Sequence, residues 1–341
     1  MTALGKTLEI RSSPHILSGN RVDTIMWNVV LALLPVSGFA VYAFGIAAVL
    51  VLAVAVGSCV LTEHLLCRVA GKPTTVADGS AVITGLLYGL TLPPGLALWM
   101  VAVGGVVAIA VGKALFGGLG QNPFNPALVA RAILQAAFPV AMTTWAPILA
   151  AGRFTSVPAS LLAWPFSAPA PDATSTATPL SAWKFDHRLT ETPDLLLGTT
   201  AGSVGETCAV LILLGGAWLI ARRMMNWRIP AAIFATVAAL SAVLHAFDPA
   251  RCAGPEFMLL SGGLMLGAVF MATDMVGSPM THLGCVIHGV VIGVLVVVIR
   301  VYGGMPEGVM YAILLANALV PHLDRLIQPR VYGTKGRGRK P

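Results

Sequence analysis

The sequence has 341 residues, of which 57% are hydrophobic and only 10% charged, with a mean hydropathy of +0.84. A soluble fold of this length could not bury that much apolar surface while keeping so few charges for water, so a soluble enzyme is excluded. The net charge of +7 reads as charge at a membrane surface rather than as a nucleic-acid footprint.

A bilayer core about 30 Å thick needs about 20 apolar residues per helix. The polar segment 1–23 lacks the apolar centre of a signal peptide and is expected to be retained as a cytoplasmic N-terminal segment. Apolar runs at 24–43, 45–66, 80–92, 96–115 and 124–141 make up a first membrane unit, 24–141. Residues 142–202, rich in Pro, Ala, Ser and Thr, form a long loop, and loops of that length are usually functional or disordered. Runs at 203–221, 229–246, 257–273, 282–300 and 307–323 give a second unit, 203–323, followed by the basic tail 324–341. Two runs, 80–92 and 257–273, are short and broken by Gly or Pro. The expected fold is an all-α polytopic membrane protein of about ten transmembrane helices.

Charge fixes the expected orientation. With the N-terminus inside, 15 of the 21 Lys and Arg fall on the cytoplasmic side, five outside, and Arg131 within a span. Both termini are then cytoplasmic and loop 142–202 is extracytoplasmic. The halves also resemble each other. Gly85-Leu-Leu-Tyr-Gly-Leu-Thr91 parallels Gly267-Ala-Val-Phe-Met-Ala-Thr273, and each is followed by a full span and an aromatic-Gly-Gly, at Phe116 and Tyr302. Five spans per half make the second half inverted relative to the first, and paired interrupted helices in inverted repeats mark the midplane sites of many transporters.

Ionisable groups in lipid are costly and are usually retained for function. Asp274, in the second broken run, is the strongest candidate for an ion path. Arg131, Glu63, His64, His282, His288 and Glu307 lie nearer span ends, where snorkelling or helix-end contacts are expected. Asn122-Pro-Phe-Asn-Pro126 cannot form regular helix, because its prolines remove donors and restrict the residues before them. Five scattered cysteines offer no cluster for zinc or iron–sulfur, and neither a catalytic residue nor a metal ligand is assigned.

By composition, Asp172-Ala-Thr-Ser175-Thr176-Ala177-Thr178-Pro179-Leu180 is a Ser/Thr-rich turn. It also resembles the motif Asp-x-x-(Ser/Thr)-x-Ala-Thr, on which periplasmic flavin transferases attach FMN through its phosphate to the final threonine. Ser13-Pro-His15, Asp78-Gly-Ser-Ala-Val-Ile-Thr-Gly85, Leu92-Pro-Pro94, Gly118-Leu-Gly-Gln-Asn-Pro-Phe-Asn-Pro-Ala127 and Phe270-Met-Ala-Thr-Asp274 resemble one family. That family is the D subunit of the Rnf ion-translocating electron transport complexes, related to the B subunit of the Na⁺-translocating NADH:quinone reductase. The resemblance runs from residue 13 to about 325.

The resemblance implies a subunit of a bacterial inner-membrane complex that couples electron transfer between ferredoxin and NAD to translocation of Na⁺ or H⁺. It implies FMN held by a phosphoester at Thr178, with Asp172, Ser175 and Ala177 read by a periplasmic flavin transferase. A second, non-covalent flavin such as riboflavin is allowed. The implied partners are the A, B, C, E and G subunits and membrane lipid, with no nucleic acid. Thr176 and Ala173 depart from the motif, where small residues such as Gly are expected. Two other readings stay open: a channel or small-solute transporter of the urea-transporter-like fold, and a structural anchor for redox partners.

Overall fold

The computed structural model describes residues 21–165, 175–206 and 208–329. They form an all-helical bundle, with no strand among the described residues. Helices α1 (Val22–Phe44) and α2 (Ile46–Val69) make a hairpin turning at Gly45. Helix α3 (Ser80–Leu90) is short, and α4 (Leu98–Ala110) continues through a 3₁₀ turn to Phe116. Helices α5 (Pro126–Ala137) and α6 (Pro139–Met142) close the first half. The loop contributes α7 (Pro179–Asp186) and α8 (Thr192–Leu197). The second half contains α9 (Ala209–Ala221), α10 (Arg228–Phe247), α11 (Pro255–Leu260) and α12 (Leu264–Leu266). A π turn over Gly267–Met271 precedes α13 (His282–Tyr302) and α14 (Val309–Leu326).

Among the described residues, six helices are long and apolar enough to cross a membrane: Val22–Phe44, Ile46–Val69, Leu98–Phe116, Arg228–Phe247, His282–Tyr302 and Val309–Leu326. Three expected spans are shorter apolar helices instead, Ser80–Leu90, Pro126–Ala137 and Ala209–Ala221. The run 257–273 is not one helix. Extended backbone at Ser261 and a left-handed Gly262 (φ +67°) interrupt it, and the i→i+5 bond from the Ala272 amide to the Gly267 carbonyl shapes its end into a π turn. Helix α3 stops because Pro93 and Pro94 follow directly. The run 124–141 is cut at Phe138 by Pro139.

Helix pairings recur between the halves. Helix α2 lies against α3 and α4, and α10 against α11 and α13; α4 packs on α5 as α13 packs on α14. The halves meet through α1 against α9 and α5 against α14. Without a hydrophobic drive between helices in lipid, close approach at small residues sets these contacts. A Cβ on Gly85 would sit 2.6 Å from the Val56 Cα, and one on Gly215 2.8 Å from the Ala32 carbonyl oxygen.

The described part of the loop is folded onto the helices. The Ile46 amide donates to the Arg153 carbonyl (2.9 Å), the Leu149 amide to the Ala43 carbonyl (3.0 Å), and Arg153 Nε to the Tyr42 carbonyl (2.9 Å). Together they tie the loop to the turn of the α1–α2 hairpin. The loop therefore belongs to the bundle's structure.

Gly85→Leu is expected to lower the thermal midpoint of the detergent-solubilised chain, because the α2–α3 contact has no room for it. Gly38→Leu is the control, since a Cβ there meets nothing within 4 Å. Equal midpoints for the two variants would contradict the packing described.

Candidate functional site

Thr178 is buried, 9% exposed, and is the N-cap of α7. Its extended backbone (φ −71°, ψ 157°) precedes Pro179, whose fixed φ suits the first helical position. Its hydroxyl oxygen accepts the Ser181 amide at 3.2 Å and lies 2.9 Å from the Ser181 hydroxyl. Ser175 and Ala177 are exposed beside it, while Asp172 lies outside the described residues. Thr176 is tied down through both its amide (3.0 Å) and its hydroxyl (3.3 Å) to the Trp145 carbonyl. The Thr176 hydroxyl, two residues before Thr178, is therefore engaged in loop pairing.

Helix α7 is pinned to the second half. Leu180 is buried at Gly262, and Trp183 lies 6.2 Å from the Phe257 ring. Lys184 Nζ donates to the carbonyls of Arg300 (2.9 Å), Gly303 and Met305 (3.1 Å), so it caps the C-terminus of α13. Partial desolvation there pulls its ammonium below the ordinary lysine value. A cavity of about 200 Å³, lined by Trp183, Lys184, His187, Arg251, Arg300 and Pro306 among others, lies beside α7. A separate, larger and apolar cavity of about 630 Å³ is bordered by Trp99, Phe138, Trp145 and Trp164.

The two broken helices place charge inside the bundle. Near the start of α3, Lys113 Nζ donates to both Glu63 oxygens (2.9 and 2.8 Å) and to the Ser80 hydroxyl (2.6 Å). Thr75 also donates to Glu63, and Asp78 accepts the Ser80 amide at 2.8 Å, so every strong donor around the pair has an acceptor. Both charged side chains are almost completely buried. Asp274 is half-buried; it accepts the Val276 amide (3.2 Å) and lies within hydrogen-bonding reach of Asn122. A cavity of about 110 Å³ brings Asp274, Thr273, Asn122, Asn125, Ser80 and Lys113 together. Asn125 has two roles: its side-chain oxygen caps α5 by accepting the Ala127 amide (3.0 Å), and its Nδ2 donates to the Met271 carbonyl (3.3 Å). The Asn-Pro-Phe-Asn-Pro stretch is thus both irregular backbone and a helix start.

At the break of the second helix, Arg131 of α5 faces Glu206 (4.0 Å) and Glu307 (3.5 Å), all three largely buried. Arg300 donates to the Met258 (2.6 Å) and Ser261 (2.9 Å) carbonyls. The expectation of snorkelling or simple helix-end contacts is corrected for Glu63, Arg131 and Glu307, which sit in buried ion pairs. Glu206, Lys113 and Arg300 join these clusters without any local sequence signal. His288 is fully buried on α13, His64 is half-buried and His282 exposed.

Interrupted helices with ionisable groups at their breaks define an integral membrane protein of the translocator class. A family model, the NQR2, RnfD, RnfE family, matches residues 9–333. The chain is 42% identical over 336 residues to the D subunit of the proton-translocating ferredoxin:NAD(+) oxidoreductase complex of Clostridium ljungdahlii, covering 96% of each chain. It is 44% identical over 334 residues to the D subunit of the ion-translocating oxidoreductase complex of Stutzerimonas stutzeri, covering 93% of this chain and 94% of that one. It is 41% identical over 330 residues to the D subunit of the Na(+)-translocating ferredoxin:NAD(+) oxidoreductase complex of Acetobacterium woodii, covering 96% and 95%. The chain belongs to the NQR2, RnfD, RnfE family.

Glu63→Gln alone leaves a buried ammonium short of its counter-charge and is expected to cost about 3–5 kcal/mol. Glu63→Leu with Lys113→Met removes both charges and should cost clearly less. Chemical or thermal unfolding of the two variants in detergent distinguishes these outcomes; equal losses would mean that the ion pair is not what orders this end of α3.

Proposed function

We propose that this chain relays electrons through an FMN carried on Thr178 within a bacterial inner-membrane complex. The chain is a membrane subunit of an ion-translocating oxidoreductase complex, of the type named ferredoxin:NAD(+) oxidoreductase in its relatives. Those names imply further subunits, and the reading supplies them as the A, B, C, E and G subunits, with a periplasmic flavin transferase acting on loop 142–202. The cytoplasmic placement of both termini rests on the Lys/Arg distribution. The arrangement of ten membrane segments as two inverted five-helix repeats is supported by the recurring helix pairings and by the two interrupted helices.

One observation carries the flavin assignment: the hydroxyl of Thr178 opens α7, and its neighbours suit a phosphoester. Amide groups at a helix N-terminus favour an anion, and the Ser181 amide already points at the Thr178 oxygen. Thr176 is held to Trp145, and Trp145 borders the aromatic-lined 630 Å³ cavity, so the chain two residues before the attachment point is fastened to the wall of an apolar recess. A phosphoester leaves the flavin ring unaltered, and the flavin when bound supplies the redox chemistry. The protein's part is to hold the group near its partners at high effective concentration. Ser175 and Ala177 are exposed where a modifying enzyme reads the loop, and Asp172 completes that motif. Asp274, with Asn122 and the cavity of about 110 Å³ between the broken helices, is the proposed inner ion site.

Mass spectrometry of the chain produced with a flavin transferase is expected to show an FMN phosphoester on the Thr178 peptide. Thr178→Val should lose that mass and ferredoxin–NAD flux while the complex still assembles, and Thr178→Ser should keep an acceptor and the helix cap. Normal flux through an assembled Thr178→Val complex would leave a structural anchor as the role of this subunit. Solute uptake by a flavin-free chain would support the transporter reading instead.

A further inference from the structure

The charge clusters and the helix breaks make no use of the apolar cavity of about 630 Å³. Its walls come from helix ends and from the loop. Ala43, Phe44 and Ala47 stand at the α1–α2 turn, Met100 lies early in α4, and residues from Thr144 to Trp164 supply much of the rest. Helices α1 and α2 are each long and apolar enough to cross a membrane, so their turn at Gly45 lies where the membrane ends. Trp99, Trp145 and Trp164 also line the cavity, and Trp gathers at that level because its ring bridges apolar and polar surroundings.

The lining carries a few hydroxyls and a single charge. Arg153 is the only Lys, Arg, Asp or Glu among the lining residues, and the only one in the chain between Arg131 and Asp172. Its guanidinium lies over two exposed rings, 5.3 Å from the centre of Tyr42 and 5.0 Å from that of Phe154. Its Nε donates to the Tyr42 carbonyl at 2.9 Å. Among the described residues no carboxylate pairs with Arg153, and its two terminal nitrogens have no acceptor. A guanidinium held through Nε and by aromatic faces offers its remaining N–H groups in a fixed place, which suits a phosphate. The cavity has the size of an ordinary ligand pocket, about 300–1,000 Å³, but its apolar walls give water few partners. The flavin reading requires no occupant here, because neither Thr176 nor Thr178 lines the walls.

We infer that this cavity binds one acyl chain of an anionic glycerophospholipid, whose phosphate is held by the Arg153 guanidinium. The match is one of charge, chemistry and place. A cation without a counter-ion stands at the membrane boundary, where phospholipids carry their phosphates, beside a recess suited to hydrocarbon. An anionic headgroup is favoured over a zwitterionic one because no carboxylate lines the cavity to receive a choline or ethanolamine cation. Arg153 belongs to the loop, yet its carbonyl accepts the Ile46 amide of α2 and its side chain lies on Tyr42 of α1. A lipid held there braces the loop against the first two helices. The inference needs neither the flavin nor the ion path.

The test uses the full chain, produced without a flavin transferase and delipidated in detergent. It is titrated with phosphatidylglycerol or phosphatidylcholine and read by native mass spectrometry. One equivalent of phosphatidylglycerol should stay bound, about tenfold more tightly than phosphatidylcholine. Arg153→Gln should remove that preference, and Ala146→Phe, which fills the cavity from its wall, should weaken binding of both lipids. Phosphatidylglycerol with a photoreactive group in its acyl chain should label the segments 94–100 and 138–151. The label is read on the wild-type chain, so it decides the site even where a variant does not fold. No retained lipid, equal affinity of the wild-type chain for the two lipids, or labelling spread over the long helices overturns the site. Unchanged binding by a folded Ala146→Phe chain overturns it too. Labelling that begins only when residues 166–174 are deleted would assign the cavity to the loop itself, against the lipid. The FMN phosphoester measurement at Thr178 is independent of all these results.

Discussion

The structure depends on one constraint: helices that end inside the membrane leave carbonyl and amide groups that lipid cannot satisfy. Part of each broken helix is finished by groups from the opposite half. The Val204 and Gly205 amides, ahead of α9, donate to the Leu92 and Leu90 carbonyls at the end of α3 (3.0 and 2.7 Å). Asn125, ahead of α5, donates to the Met271 carbonyl at the end of the π turn. These bonds cross between the halves, so the interface is specified by them as well as by side-chain packing.

The buried charges follow from the same demand. Arg300 is placed to satisfy two carbonyls of the α11 break, and Glu307 to accept the Gly263 amide beyond it. Lys113, Glu63 and Ser80 do comparable work where α3 begins. Backbone repair brings charge into the bundle, and that charge sets the local electric field at the breaks. Even where a buried charge sits on a long helix, as Glu63 does on α2 and Arg300 on α13, its partners lie at a break.

Much of the architecture was legible in the sequence. Apolar length marked the six long helices, because 18–24 residues of low polarity have few alternatives to spanning a bilayer. Gly and Pro marked both breaks, at Pro93–Pro94 and around Gly262–Gly263. Hydropathy did not show where helical winding stops within a run: 203–206 opens the apolar run 203–221 but lies outside the helix, where it pairs with the end of α3. The charged residues were harder. Arg131 meets partners 75 and more positions away, and Glu63 meets Lys113 fifty positions on, so no local pattern distinguishes a paired charge from a snorkelling one. Thr178 stood out only through a motif, since its burial depends on Leu180 and Lys184 seating α7 against the second half.

The cap at the start of α7 has a consequence for the order of events in the life of the chain. The Thr178 oxygen is enclosed and already committed to its own helix. While α7 is seated, Thr178 keeps only 9% of its surface exposed. Any enzyme that esterifies it must arrive while the loop is still unseated or must lift the helix away. Lys184 spans from α7 to three carbonyls of the α13 end, so lifting the helix would strand those groups as well. Access to the Thr178 hydroxyl is thus tied to whether α7 is docked on the second half, so the docking of one short helix sets the accessibility of its first side chain.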